Sequence, residues 1–128
     1  MPRLLNHEDA APEAQAVFDE IKAARGVADV NNFWKALAVD PPLLRRTWDS
    51  LRVVMAPGAL DPLTKEMLYL AASMTSGCAY CTASHSAAAR AKGMTEAQFG
   101  ELLAVIGMAA ETNRLAEALR VPVDPQFE

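Results

Sequence analysis

The sequence predicts an all-α protein, and three observations support this prediction. Apolar residues recur at helical spacing through most of the 128-residue chain. No run shows the sustained apolar and polar alternation, rich in Val, Ile, Thr and aromatic residues, that is typical of a strand. Prolines and glycines stand where helices would start and stop. We therefore expect about six helices in a single domain spanning residues 1–128, because this length supports one ordinary hydrophobic core.

The first half of the chain is predicted to hold three helices. Residues 11–25 carry apolar side chains at helical steps and stop at Gly26, which readily adopts the left-handed C-terminal cap. A second, short helix is predicted from residue 31 or 32 to residue 39. The pair Pro41-Pro42 suits the first turn of a third helix, which ends at Pro57-Gly58.

The second half is predicted to hold the remaining helices. Asp61 is expected to cap the fourth, whose apolar stripe repeats every three or four residues: Leu63, Met67, Leu70, Ala71 and Met74. The stretch Thr75-Ser76-Gly77 ends this helix, and a helix bearing both cysteines continues from near Cys78 to Lys92. Thr95 and Gln98 fit a capping box for the last long helix.

The last predicted helix holds no charged residue between positions 102 and 110. It is therefore apolar nearly all round and is expected to be central or at an interface. Beyond Arg120 we expect an extended tail, and near the other end of the chain we expect His7 to be solvated. Four aromatic residues in apolar helical patterns are expected in the core: Phe33, Trp34, Trp48 and Phe99.

Charge and composition narrow the function. The net charge of -4, with no basic cluster longer than Arg45-Arg46, argues against a nucleic-acid partner. Residues 67–89 carry no charge, but several polar side chains and the break at Gly77 argue against a membrane span. The first residues lack a signal-peptide pattern, so we expect a cytoplasmic location. The hydrophobic share of 52% is high for a small monomer, and we expect part of it in subunit interfaces.

The chemistry of the chain is concentrated in one short constellation of Glu66, Cys78, Cys81 and His85. The two thiols are separated by two residues, so they can close a disulfide after one sulfur has been oxidised. At a helix N-terminus the unpaired backbone N–H groups stabilise a thiolate. His85 lies four residues after Cys81, on the same helical face, and can reach that sulfur directly or through a water. Glu66, from the preceding helix, could orient or charge this imidazole.

Other interpretations of the same residues stay open at this stage. Free cysteines are often inert, buried small hydrophobes. A zinc ion bound by both thiols, His85 and Glu66 is a further alternative. A thioredoxin fold fits less well, because its dithiol follows a strand and no strand is visible here. The spacing of the cysteines at a helix start, with a histidine one turn later, favours redox chemistry.

The spacing Glu-x11-Cys-x2-Cys-x3-His resembles that of the AhpD-like alkylhydroperoxidases of the carboxymuconolactone decarboxylase superfamily. The resemblance is best from residue 61 to residue 108, and it implies a redox core at about 61–110 in an all-helical, oligomeric protein. By this resemblance Cys81 is the peroxidatic sulfur and Cys78 the resolving one, with Glu66 and His85 as the proton relay. The best-known peroxidase members carry a histidine where this chain has Tyr80, which can still support the site as a hydrogen-bond donor.

The resemblance also implies the partners. The expected substrate is a small hydroperoxide, and the expected reductant is an external dithiol of the lipoyl or thioredoxin-like kind. We expect neither a bound cofactor nor a metal, and a homo-oligomer that is a trimer or hexamer, with a dimer as the alternative. The alternative functions are a decarboxylase-like enzyme and a redox-sensing module that forms its disulfide without turnover.

Overall fold

The computed structural model describes residues 1–128 and confirms the all-α prediction, with six α-helices and no strand. Two short 3₁₀ helices, His7–Asp9 and Pro125–Phe127, lie near the ends of the chain. The α-helices are α1 Pro12–Arg25, α2 Asn32–Leu37, α3 Pro41–Val54, α4 Pro62–Ser76, α5 Ala79–Ala91 and α6 Glu96–Leu119. They group into two compact units, Met1–Ala56 and Pro57–Glu128. The single domain over the whole chain stays a prediction.

The first unit packs α1, α2 and α3 around an apolar core. Trp34 and Trp48 meet edge to face in this core, with ring centroids 5.7 Å apart, and the Arg25 guanidinium lies over both rings. Phe33 was predicted to be buried and is not, since 43% of it is exposed. The prediction for His7 was also incomplete, because its ring lies 3.0 Å from an Asp19 oxygen.

The second unit consists of α4, α5 and α6, and it carries the candidate site. Its core is formed by the buried residues Leu70, Ala89 and Met94, with α4 packed against both other helices. Asp61 caps α4 by accepting a hydrogen bond from the Thr64 N–H at 2.9 Å, as predicted. The packing of α4 against α5 positions the site, because it brings the face of α4 that carries Glu66 against the face of α5 that carries His85.

The last helix, α6, is 24 residues long and contains no buried residue. Its predicted capping box is present: Thr95 accepts from the Gln98 N–H, and the Gln98 side chain accepts from the Thr95 N–H. The apolar stretch 102–110 is therefore not central within the chain, and Val105 and Met108 are more than half exposed. The predicted central position is therefore not observed, and the predicted interface stays a prediction. None of the helices is both long and apolar enough to cross a membrane.

Candidate active site

The turn between α4 and α5 delivers the first cysteine to the start of a helix. Gly77 takes the left-handed conformation, with φ of 75°, which residues with a Cβ rarely adopt. Its N–H donates to the Met74 carbonyl at 3.2 Å, and the Cys78 N–H donates to the Ser73 carbonyl at 3.0 Å. These bonds satisfy the end of α4 within two residues, so Cys78 becomes the N-cap of α5.

The two cysteines form a disulfide in the first turn of α5. Their Cα atoms are 5.3 Å apart, within the ordinary range for a disulfide. The Cys81 N–H donates to the Cys78 sulfur at 3.2 Å, which is the contact that an N-cap side chain makes. Both residues are partly exposed. The structure thus holds the oxidised state of the dithiol.

Glu66 and His85, which sequence alone could not place together, are in direct contact. The His85 Nδ1 atom lies 2.7 Å from Glu66 Oε2, and the side chains are only 18% and 8% exposed. An ionised carboxylate can only accept hydrogen bonds, so Nδ1 carries the hydrogen. In the neutral ring this leaves Nε2 as the acceptor nitrogen. The contact therefore fixes which side of the imidazole can act as a base.

The carboxylate of Glu66 is held by two donors. Besides His85 on Oε2, the Lys92 ammonium lies 3.1 Å from Oε1. Burial by itself raises the pKa of Glu66, but the hydrogen bonds from His85 and Lys92, together with their charges, hold that pKa below its ordinary value. Glu66 is thus a buried carboxylate that stays ionised at neutral pH.

This lowered pKa predicts how stability depends on pH. A carboxylate that is more acidic when folded stabilises the protein above its unfolded pKa, near 4.5, and loses that contribution as pH falls through the lower folded value. We expect Glu66→Gln to have a lower free energy of unfolding than the unsubstituted protein at neutral pH. This difference between the two proteins should become smaller in acid. Urea unfolding of both proteins at the same protein concentration, at neutral and at acidic pH, checks this. A deficit that is the same at neutral and acidic pH would contradict it.

Two neighbours of this pair were not singled out from the sequence. The Tyr69 ring stacks on the His85 ring, with centroids 3.7 Å apart and an interplanar angle of 19°. Lys92 contacts Glu66 from the C-terminal end of α5. Helical spacing could have indicated both, since Tyr69 lies three residues after Glu66 and Lys92 lies seven after His85.

Tyr80, the predicted supporting residue, lies in the first turn of α5 between the two cysteines and is 45% exposed. The four residues of the zinc alternative are arranged as two bonded pairs, the disulfide and the Glu66–His85 contact. No group of three or more His, Cys, Asp or Glu side chains in residues 1–128 is placed to hold a metal ion.

The sequence profile of the Carboxymuconolactone decarboxylase family matches residues 41–124, which include the whole of α3 to α6. The chain belongs to this family. The match includes the two disulfide cysteines and the three residues of the neighbouring hydrogen-bonded contacts: Glu66, Cys78, Cys81, His85 and Lys92.

Two proteins are similar to this chain. It is 33% identical over 114 residues to the alkyl hydroperoxide reductase AhpD of Solibacter usitatus (strain Ellin6076), a match that covers 87% of this chain and 62% of that protein. The chain thus spans less than two thirds of the length of that relative. It is also similar to the crystal structure of an alkylhydroperoxidase AhpD core from Rhodospirillum rubrum, with 59% identity and a TM-score of 0.88, covering 91% of this chain and 86% of that one. The likeness confirms the AhpD-like fold expected from the sequence.

Proposed function

We propose that this chain is a thiol-dependent peroxidase that reduces small hydroperoxides by cycling Cys78 and Cys81 between dithiol and disulfide. The observation that supports it best is the disulfide at the N-terminus of α5, on the same helix as a histidine bonded to a buried carboxylate. The printed names of both similar proteins, an alkyl hydroperoxide reductase and an alkylhydroperoxidase core, support the same activity class.

In the proposed cycle the Cys81 thiolate attacks one oxygen of the peroxide. The O–O bond breaks, an S–O bond forms, and the departing alkoxide takes a proton to leave as an alcohol, so that Cys81 becomes a sulfenic acid. The Cys78 sulfur then attacks the Cys81 sulfur, which forms the S–S bond and releases water. Two electrons have passed from the dithiol to the peroxide. The disulfide in the structure corresponds to the end of this half-cycle.

His85 and Glu66 are proposed to move the protons. With its Nδ1 hydrogen bonded to Glu66, the neutral ring offers Nε2 to accept the proton of the Cys81 thiol, directly or through a water. The imidazolium so formed can give a proton to the departing alkoxide. Glu66 stabilises the imidazolium and keeps the ring in the useful tautomer.

The cycle closes only when an external dithiol reduces the disulfide. A thiolate of the donor attacks one sulfur, a mixed disulfide forms, and the second donor thiol resolves it, leaving both cysteines reduced. A lipoyl or thioredoxin-like donor fits this chemistry, since either provides two adjacent thiols.

Stopped-flow mixing of the reduced protein with an organic hydroperoxide tests the proposal. We expect stoichiometric alcohol formation with loss of two thiols per chain, and repeated turnover when a dithiol donor is added. Disulfide formation without turnover in the presence of several donors would favour the sensing module instead. Lactone decarboxylation that survives replacement of both cysteines would favour the decarboxylase-like alternative suggested by the family name.

We also propose that a second copy of this chain covers α6. A helix usually gains its stability by packing an apolar face, yet every residue of α6 is at least partly exposed in the isolated chain. Its most exposed large apolar side chains are Leu103, Val105, Met108, Leu115 and Leu119. Such an extended apolar surface is typical of a subunit interface. A trimer or hexamer is expected, with a dimer as the alternative.

Charge placed on this surface should weaken the assembly. We expect Val105→Glu and Met108→Glu to shift sedimentation equilibrium at micromolar concentration towards the 13.8 kDa monomer, because a carboxylate would be desolvated in the interface. Asn113→Glu adds the same charge at an already polar position of α6 and serves as the control. A stable, soluble monomer of the unsubstituted protein would contradict the proposal.

A further inference from the structure

We propose that Lys92 is a positioning residue of this site, which holds the Glu66 carboxylate in place and balances its charge so that His85 can act as a base. The inference rests on the peroxidase function proposed above and assigns a role to a residue that the dithiol mechanism does not itself require.

The geometry gives Glu66 two different partners on its two oxygens. Lys92 Nζ lies 3.1 Å from Oε1, and His85 Nδ1 lies 2.7 Å from Oε2. Because each oxygen is engaged, the carboxylate cannot rotate without losing a charge-assisted hydrogen bond. Lys92 thus helps to fix the direction from which Glu66 accepts the His85 hydrogen. Tyr69 limits the tilt of the same ring by stacking on its face.

The second part of the role proposed for Lys92 is to balance the charge of Glu66. Glu66 and Lys92 together carry no net charge, so His85 faces a balanced pair rather than an isolated buried carboxylate. Without the ammonium group, the negative charge would favour the imidazolium form. A histidine that already holds its proton cannot accept one from Cys81. Lys92 therefore keeps the base available at neutral pH, while Glu66 still orients it.

The other charged groups around the pair point elsewhere. On α4, Lys65 lies about 100° around the helix from Glu66. On α6, Glu96 is paired with Arg90 at 2.8 Å, and Glu101 lines a groove between α4 and α6. On α5, the two sulfurs are joined to each other and carry no charge in the oxidised state. Lys92 is thus the cation in contact with the carboxylate.

The first test follows the oxidation rate of the reduced protein by an organic hydroperoxide as a function of pH. We expect Lys92→Met to react about tenfold more slowly at neutral pH, a part of the usual general-base contribution, and to recover at higher pH. Lys92→Arg should restore most of the rate, since it keeps the charge. Lys22→Met is the matched control, because Lys22 also forms a 3.1 Å ion pair, with Asp19, outside this site.

The second test does not depend on peroxide chemistry. The chain has two histidines, so NMR titration of their ring signals can follow His85 with His7 as an internal reference. In Lys92→Met the His85 signals should titrate at higher pH than in the unsubstituted protein, while those of His7 should not move. His85→Ala assigns the signals. Lys92→Gln is measured beside Lys92→Met, so that a folding defect in one variant does not decide the result.

The outcomes separate this inference from the proposed function. If the unsubstituted protein does not consume peroxide but the His85 titration shifts as expected, the peroxidase proposal fails and the charge-balancing role of Lys92 stands. If peroxide is consumed but Lys92→Met and Lys92→Gln leave both the titration and the pH profile unchanged, Lys92 has no positioning role. A rate loss that is equal at every pH, without rescue by Lys92→Arg, also overturns the inference, because it indicates general structural damage.

Discussion

Cys81→Ser is expected to abolish peroxide consumption. Cys81 lies one turn before His85 on α5, so in the proposed mechanism it is the Cys81 thiol that gives its proton to the imidazole. A serine hydroxyl at the same position is not ionised at neutral pH and cannot reduce a peroxide. Peroxide loss in stopped-flow mixing, with a dithiol donor in excess, measures the effect. Far-UV circular dichroism of the variant confirms that the helices are retained.

Cys78→Ser is the matched variant, and it should behave differently. We expect a single burst of about one peroxide per chain that ends in a sulfenic acid trapped at Cys81, because no second thiol is left to condense with it. Mass spectrometry after trapping with a sulfenic-acid reagent locates the oxidised sulfur. Cys78 is the N-cap of α5 and accepts the Cys81 N–H, a contact that also favours a thiolate. A sulfenic acid found on Cys78 in the Cys81→Ser variant would reverse the two roles.

Glu66→Gln and His85→Ala are expected to slow the oxidation of Cys81 by about 100-fold, the lower range of general-base contributions. His85→Ala removes the proposed proton acceptor. Glu66→Gln removes the charge that stabilises the imidazolium, although an amide oxygen can still accept the Nδ1 hydrogen. Single-turnover oxidation of the reduced variants, followed across pH, measures both effects.

The chain offers a matched control for this pair. His7 and Asp19 form a second histidine–carboxylate contact at 3.0 Å, but both side chains are well exposed. His7→Ala and Asp19→Asn should leave the oxidation rate unchanged. Equal rates across pH for Glu66→Gln, His85→Ala and the unsubstituted protein would remove the relay from the mechanism. Tightly bound zinc in the purified protein would instead indicate metal ligation by these residues.

The helices and their ends could be predicted from the sequence because they depend on local interactions. Gly26 takes the left-handed cap expected of it, α4 ends at the expected break before Gly77, and the Thr95–Gln98 capping box forms as expected. The neighbouring positions of Cys81 and His85 also follow from helical spacing alone. The second helix was predicted to reach residue 39 and stops at Leu37, since a helix end without a strong capping signal is poorly defined by local preferences.

Burial was less predictable, since it depends on what each helix face meets. Trp34 and Phe33 are adjacent in a short helix, yet Trp34 is buried against Trp48 whereas 43% of Phe33 is exposed. The composition of the stretch 102–110 predicts burial, yet none of its residues is buried, and Leu102 is only partly buried against the core of the second unit. Hydrophobicity indicates that a side chain favours burial, and the partners available in three dimensions decide whether it is buried.

The sequence by itself determined the all-α class, the helix-capping turns and the placement of a dithiol one turn before a histidine. Only the tertiary structure decided that Glu66 reaches His85, that Tyr69 stacks on its ring and that Lys92 completes the contacts of the carboxylate. The physical reason is the range of the interactions. Helix periodicity and capping act over three or four residues, whereas the Glu66–His85 contact joins side chains 19 residues apart and exists only because α4 packs against α5.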